Sequence, residues 1–518
     1  MLVIAAGAVG PGDDAWRHLA STVLAEYILN STILIMGAGG LALVIGVAAA
    51  WLVTACDFPG RRWFEWALVL PLAVPSYIAA YTYVGMLDTT GPLPRLLRPL
   101  APAVAEWLVR VPVMGMTSVL VIFALVLYPY VYLITRASFE RQSRTALEAA
   151  RALGHGPAAT FRRIALPLAR PAIVGGVALV VMEVLNDYGA VKYYGVPTFT
   201  TGIFRAWFGL GDLDAAIRLA ACLMIVVFAV LALERAQRRG QRYVGGEIGE
   251  RPLPRFPLRG GAAAGAILAC AIPVFLGFLL PVAQLVYWAA RTAPRVVDGS
   301  FARLALNSLS LAFGAALLCV LTALVVAYAV RLGSTRGMRL LTRVAVLGYA
   351  VPGAVIAVGV LVPAAAVDHW LDGALRASIG VSSGLLISGT LAALVFAYLV
   401  RFMAVAFSPL ESGFQRVCGN LDEAARTLGS APLRVLLRVA LPLLRPALLG
   451  ALMLVFVDVM KELPLTLILR PFNFDTLATK AYQLATDEQI AESANAALLV
   501  ILAGVLPVIG LNRLLGRR

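Results

Sequence analysis

Two pairs of acidic residues stand at equivalent points of the chain, each within a mostly apolar stretch. Glu183 and Asp187 form the first pair, and Asp458 and Glu462 form the second, 275 residues later in both cases. The i, i+4 spacing predicts that each pair lies on one face of a helix. Carboxylate oxygens bind hard cations, and an unpartnered charge in apolar surroundings is costly. The four carboxylates could therefore line a route for a cation.

A structural role explains the same residues equally well. The carboxylates could cap helix ends, or they could pair with nearby cations, namely Lys461, Arg205 and Lys480. Both interpretations stay open at this point. The candidate pathway residues are Glu183, Asp187, Tyr188, Asp458, Lys461 and Glu462.

Two polar insertions share the pattern E-A-A-x3-G-x11-L-P and are again 275 residues apart. The pattern predicts helix, break, helix: Glu-Ala-Ala-Arg favours a helix, the glycine ends it, and Leu-Pro opens the next helix. One copy could be an ordinary loop, but two copies with identical spacing indicate a shared function. The candidate residues are Glu148, Ala149, Ala150, Gly154 and His155 in the first insertion, and Glu423, Ala424, Ala425, Gly429 and Ser430 in the second.

Other kinds of chemistry lack support in the sequence. The five cysteines form no C-x-x-C pair and the three histidines show no H-E-x-x-H spacing, so no metal site is indicated. No G-x4-G-K-[ST] loop is present to bind ATP. The net charge of +15 would suggest nucleic-acid binding in a soluble protein, but the basic residues lie between apolar runs. We expect no cofactor on this chain and no nucleic-acid partner.

The composition indicates the scaffold that positions these residues. The chain is 61% hydrophobic and 14% charged, whereas soluble domains are about 45–50% apolar and about 25% charged. Its apolar runs are long enough to cross a hydrocarbon core of ~30 Å as helices, which satisfy their own backbone hydrogen bonds. The predicted fold class is all-α, a polytopic helical membrane protein. The eleven predicted spans are 29–53, 63–87, 112–136, 168–186, 216–234, 262–290, 305–330, 340–364, 384–407, 443–461 and 496–512.

The chain is also a tandem duplication. At an offset of 277, Leu29-Asn30-Ser31 recurs as Leu306-Asn307-Ser308, and Val74-Pro75 recurs as Val351-Pro352. The predicted spans divide into five and six, and most basic residues lie inside if the N-terminus lies outside. The predicted domains are an extracytoplasmic segment (1–28), a first transmembrane domain (29–234), a cytoplasmic linker (235–261) and a second transmembrane domain (262–518). The polar insertions occupy 140–167 and 411–442.

The two insertions resemble the EAA loops of permease subunits in binding-protein-dependent ABC importers, and the chain resembles the fused type of these permeases. The resemblance covers nearly the whole chain. It implies a coupling helix in each loop that docks on a cytoplasmic ATPase, with the ten insertion residues forming the coupling sites. It further implies two ATPase copies that carry ATP and Mg, an extracytoplasmic substrate-binding protein, and a multi-pass location in a bacterial inner membrane surrounded by lipid. The chain itself would be a transport subunit and not an enzyme.

A narrower resemblance concerns the cargo. Asp187-Tyr188-Gly189, Lys461-Glu462-Leu463-Pro464 and the segments 199–207 and 470–476 are similar to ferric-iron ABC permeases. The resemblance implies ferric iron, with thiamine or another small cation as the alternative. A secondary transporter would also have repeats and midplane carboxylates but has no use for two EAA loops. A membrane enzyme lacks support because no nucleophile–base pair or cofactor fingerprint is present.

Overall fold

The computed structural model describes residues 4, 14–110, 112–141, 154, 156–238, 255–333, 335–416, 421, 424–425 and 427–515. These residues are overwhelmingly helical. In the first half the α-helices are α1 (Asp14–Thr22), α2 (Leu24–Ala55), α3 (Arg61–Ala67), α4 (Ser76–Leu87), α5 (Pro92–Leu100), α6 (Pro102–Arg110), α7 (Met116–Arg141), α8 (Pro157–Thr160), α9 (Leu166–Asn186), α10 (Gly189–Tyr193), α11 (Phe199–Phe204) and α12 (Leu213–Arg238).

In the second half the helices are α13 (Gly260–Val274), α14 (Leu280–Val296), α15 (Gly299–Leu332), α16 (Arg336–Val346), α17 (Gly353–Ile379), α18 (Leu391–Arg416), α19 (Pro432–Val435), α20 (Leu441–Met460), α21 (Pro464–Leu469), α22 (Leu477–Thr486) and α23 (Ile490–Leu515). The 3-10 turns are Leu70–Ala73 and Leu347–Ala350, and the π-helical turns are Phe161–Ala165, Arg205–Gly209, Phe275–Leu279 and Leu436–Ala440. Two-residue strands β1 (Cys56–Asp57) and β2 (Phe256–Pro257) pair in parallel.

The all-α, polytopic fold class is confirmed. Among the described residues, nine helices are long and apolar enough to cross a membrane, or ten if one bent pair counts as a span. Each of the eleven predicted spans overlaps a helix, although the helix within 384–407 begins only at Leu391. The last, 496–512, lies in α23, whose described apolar part is Ile490–Val505.

Two of the predicted spans, 63–87 and 340–364, are interrupted and are not single helices. The interruption falls at Val-Pro in both, where Val74 (φ −93°, ψ 112°) and Val351 (φ −86°, ψ 128°) are extended. The residue before a proline disfavours the α region, and proline cannot donate a helical hydrogen bond, so Val-Pro favours a helix break at these two points. In the first case the two helical arms, Arg61–Ala73 and Ser76–Leu100, meet at 89°.

The helices group into two compact units by their contacts. The first unit contains Pro11–Pro294 and Ala481–Val508, and the second is built on Arg295–Lys480. Helix α23 therefore packs mainly with the first unit, where Asn495 Nδ2 donates to Thr292 Oγ1 at 2.8 Å across to α14. These units follow packing, whereas the predicted domain boundaries follow the internal repeat and stay a prediction.

Each unit has a core of three mutually packed helices at equivalent points of the repeat. The first unit uses α2, α7 and α9, and the second uses α15, α18 and α20. In the first unit a Cβ on Gly46 would lie 2.7 Å from Val131 Cβ, and one on Gly176 would lie 2.8 Å from Val131 Cα. Small residues at these positions let the backbones approach closely, as transmembrane helices require. The second unit has fully buried Ala323 and Ala451 at the equivalent positions.

Candidate functional site

The turn at Gly429 ends a helix in the second unit by a hydrogen-bonded glycine cap. Gly429 is left-handed at φ +78°. The Ser430 N–H donates to the Ala425 carbonyl at 3.0 Å, and the Leu428 N–H donates to the Ala424 carbonyl at 3.2 Å. The first of these is the 6→1 bond of a Schellman motif, with Gly429 as its left-handed residue. The predicted helix end at Gly429 is confirmed, and this glycine is required by its φ.

The first unit repeats the central feature of this turn. Gly154 is also left-handed, at φ +76°, and is exposed. A Cβ built on Gly154 or Gly429 would meet no atom within 4 Å, so the glycine requirement comes from the backbone and not from crowding. The remaining predicted coupling residues, Glu148, Ala149, Ala150, His155 and Glu423, lie outside the described residues.

The helices that follow the turns also repeat at an offset of 275. Short α8 and α19 lead into the π-helical turns Phe161–Ala165 and Leu436–Ala440, and these continue into α9 and α20. The Leu166 N–H donates to the Phe161 carbonyl, and the Leu441 N–H donates to the Leu436 carbonyl, five residues back in each case. The prediction that Leu-Pro opens these helices holds for the α-helical segments, which begin at Leu166 and Leu441, but each segment continues a helical run that starts earlier, at Pro157 and Pro432. Pro167 and Pro442 have no backbone N–H to donate. The wider π-turn just before each proline lets the helix continue despite this missing donor.

The surface beside the Gly429 turn is both apolar and basic. Leu428 and Leu433 are 86% and 65% exposed, and Arg434 and Arg438 are exposed on the following helix. Exposed leucines beside arginines form a surface on which an amphipathic partner could dock. The geometry is therefore compatible with the predicted coupling role, which stays a prediction.

Asp187 in the first unit caps the short helix that follows it. Its Oδ1 accepts hydrogen bonds from the Ala190 N–H at 2.8 Å and the Val191 N–H at 3.3 Å, at the start of α10. The Ser76 hydroxyl, from the start of α4, donates to its Oδ2. Thr200 Oγ1 donates to the Asp187 carbonyl at 2.7 Å. The Asp187 carboxylate thus connects the end of α9 to α4 and α10, and its backbone carbonyl adds the contact to α11.

Glu462 in the second unit plays the same part with different partners. It accepts from the Leu465 N–H at 3.1 Å and the Thr466 N–H at 3.3 Å, both in the first turn of α21. Arg401 NH1 on α18 lies 3.7 Å from Glu462 Oε1, and both side chains are nearly fully buried. A Cβ on Gly353 would lie 2.5 Å from Arg401 NH1 and 2.7 Å from Glu462 Oε1. The glycine therefore makes room for the ion pair.

The two repeats hold the equivalent carboxylate with different partners, and three positions differ together between them. Where the first repeat has Ser76 and Asp187, the second has Gly353 and Glu462 at offsets of 277 and 275. Arg401 replaces Val126, again at an offset of 275. The Ser76 hydroxyl binds the carboxylate in the first repeat, and the Arg401 guanidinium takes that role in the second. Arg401, Ser76 and Gly353 were missed from the sequence, although an isolated arginine in an apolar run is itself a signal of function or pairing.

The other predicted pathway residues also have protein partners. Glu183 accepts from the Tyr130 hydroxyl at 3.4 Å, and Lys461 Nζ lies 3.0 Å from Asp458 Oδ1. Tyr188 stacks on Phe204 with ring centroids 3.6 Å apart. Within the part of the chain that the structure describes, no three acidic, histidine or cysteine side chains converge as a metal site. Capping is thus observed at Asp187 and Glu462, and of the predicted pairs the structure shows Asp458 with Lys461, whereas Glu462 pairs with Arg401. The pathway role stays a prediction.

The comparisons with known proteins address the whole chain. The family of binding-protein-dependent transport system inner membrane components matches residues 42–239 and again 319–518. The chain belongs to this family. It contains the family's domain twice, fused in one polypeptide, which confirms the tandem duplication of ABC importer permease domains. It is a multi-pass protein of the bacterial inner membrane.

Relatives in this family differ in their named cargo. The Fe(3+)-transport system permease protein FbpB 2 of Haemophilus influenzae is 26% identical over 95% of this chain and 90% of its own length. The sulfate transport system permease protein CysT of Salmonella typhimurium is 29% identical over 39% of this chain and 73% of its own length. A protein of Salmonella choleraesuis named for 2-aminoethylphosphonate transport, PhnV, is 26% identical over 51% of this chain and 97% of its own length.

Proposed function

We propose that this permease forms the translocation pathway of an ATP-driven importer of ferric iron. The observation that carries the cargo proposal is the similarity to FbpB 2, which extends over 95% of this chain and so includes both repeats. The sulfate relative aligns with a much smaller share of the chain, 39%. Sulfate import is the second candidate, because identity over that shorter region is slightly higher, at 29%.

The proposal requires an energy source outside this chain. Two copies of a cytoplasmic ATPase, carrying ATP and Mg, would dock at the turns around Gly154 and Gly429. The equal conformations of these glycines, at φ +76° and φ +78°, support one docking mode used twice. An extracytoplasmic binding protein would deliver the cargo.

We further propose that Glu183, Asp187, Asp458 and Glu462 flank the route that the cargo takes. Their repetition at one offset supports this role, whereas the caps at Asp187 and Glu462 support a purely structural one. The double variant Asp187→Asn, Glu462→Gln separates the two roles when import is measured per folded complex. Reduced import per complex supports the route, and unchanged import per complex with less folded permease supports capping alone.

The cargo is tested in proteoliposomes that contain this permease with its ATPase and binding protein. We expect ATP-dependent accumulation of ⁵⁵Fe supplied on the binding protein, and no accumulation of ³⁵S-sulfate. Accumulation of sulfate but not iron would favour the second candidate. Uptake that follows a proton or sodium gradient without ATP would contradict the assignment as an ATP-driven importer.

A further inference from the structure

A cavity of about 520 Å³ opens in the first unit beside the end of α10 and the π-turn Arg205–Gly209. Its volume is within the usual range of small-molecule pockets, about 300–1,000 Å³. Aromatic rings and two cationic side chains form its characteristic wall. These residues are Tyr27, Tyr188, Lys192, Phe204, Arg205 and Phe208.

The charge of this cavity is of one sign. Lys192 and Arg205 carry positive charge, and none of the residues described as its lining is acidic. Two like charges held near one cavity repel each other, and an anion between them would relieve that repulsion. An arginine fork and a lysine ammonium together are a donor set suited to a phosphoryl-type oxyanion.

Three contacts hold parts of the wall in place. Tyr188 stacks on Phe204 at a centroid distance of 3.6 Å with the rings 16° from parallel. The Tyr27 ring packs on Gly202, where a Cβ would lie 2.5 Å from it. Lys192 lies on α10, whose first N–H groups are fixed by the Asp187 cap. A pre-organised wall lowers the entropic cost of binding.

The second repeat does not contain this cavity wall. At an offset of 275, Lys192 corresponds to Leu467, and Phe204 corresponds to Thr479. Arg205 corresponds to Lys480, which lies within the regular helix α22 and not in a π-turn. The equivalent part of the second repeat is therefore built without this set of residues. π-turns inserted in helices frequently mark functional sites.

We propose that this cavity binds a phosphate monoester or phosphonate, with the oxyanion between Lys192 and Arg205 and the organic group against the aromatic wall. The ligand is either a free small molecule or the headgroup of a phospholipid, since both present the same chemistry. The site goes beyond the proposed import function, because it does not depend on which cargo the complex carries.

The full-length permease, purified in detergent, tests the proposal by calorimetric titration with phenyl phosphate and, separately, with a short-chain phosphatidic acid. We expect Arg205→Gln to weaken binding about 10- to 100-fold, the effect of losing one charge-assisted hydrogen bond. Lys480→Gln, the matched residue of the other repeat, should bind as the wild type does. Arg205→Lys should retain part of the affinity because it keeps the charge.

Binding of phenyl phosphate alone would identify a free small molecule, and binding of the lipid alone would identify a headgroup site. Lys192→Gln provides a second test if Arg205→Gln does not fold, because Lys192 is exposed and its removal leaves the aromatic wall intact. Failure of both probes to bind the wild type would overturn the proposal. Equal affinities of Lys192→Gln and Lys480→Gln for the probe would overturn it as well.

Discussion

Replacing Gly429 with valine should uncouple ATP hydrolysis from transport. Gly429 has φ +78°, and an L-residue in this left-handed region costs about 1–2 kcal/mol. A Cβ there meets no atom within 4 Å, so this cost is conformational and contains no term for a clash. Such a cost reduces the population of the native turn by about 5- to 30-fold if the turn can rearrange. The hydrogen bond from Ser430 to Ala425 would then be lost with the helix end that it caps.

The measurement is ATP hydrolysis and cargo uptake, each normalised to the amount of assembled complex. We expect Gly429→Val, and separately Gly154→Val, to lower the uptake per ATP hydrolysed. Gly429→Asn is the matched control, because asparagine adopts left-handed φ more readily than other non-glycine residues. The reasoning is refuted if the valine and asparagine variants couple equally well, or if both couple like the wild type.

Three further predictions concern the scaffold. Arg401→Val leaves the buried Glu462 without its guanidinium and should destabilise the permease by about 3–5 kcal/mol, seen as a lower melting temperature. The triple variant Gly353→Ser, Arg401→Val, Glu462→Asp copies the first repeat and should recover most of this loss of stability. No recovery would contradict the idea that the three positions differ together between the repeats. Asp368→Ala removes the carboxylate that accepts hydrogen bonds from the N–H groups of Leu386, Ile387 and Ser388. Amide hydrogen exchange over 386–388 should therefore accelerate by about tenfold or more. Unchanged exchange would show that this carboxylate does not hold the loop. Gly176→Leu places a Cβ 2.8 Å from Val131 Cα and should sharply lower the yield of folded protein, whereas Gly40→Leu, with no atom within 4 Å of its Cβ, should not; equal yields would argue against close helix packing.

Much of the fold follows from patterns that are local in the sequence. Each span needs only a long apolar run, so all eleven predicted segments overlap helices. The turn at Gly429 was also predictable, because a glycine after a helix-forming segment is a frequent C-terminal cap. The Val-Pro pairs at Val74 and Val351 repeat in the sequence, but apolar residues on both sides made each region look like one continuous span, so the helix breaks were not predicted.

The partners of the carboxylates could not be predicted in the same way. Arg401 and Glu462 are 61 residues apart in the sequence and meet only because α18 packs on α20 and α21. Ser76 reaches Asp187 because the helix restarts directly after Pro75 and brings its first residue to the end of α9. These contacts depend on helix packing, which a single sequence does not specify.

The most direct test of the importer assignment is uptake by proteoliposomes that contain the permease, its ATPase and its binding protein, with ATP as the only energy source. The account predicts that ⁵⁵Fe accumulates only when ATP is present, and that the Gly154→Val, Gly429→Val double variant hydrolyses ATP without accumulating iron. Iron uptake that proceeds equally without ATP, or that is unchanged in the double variant, would contradict it.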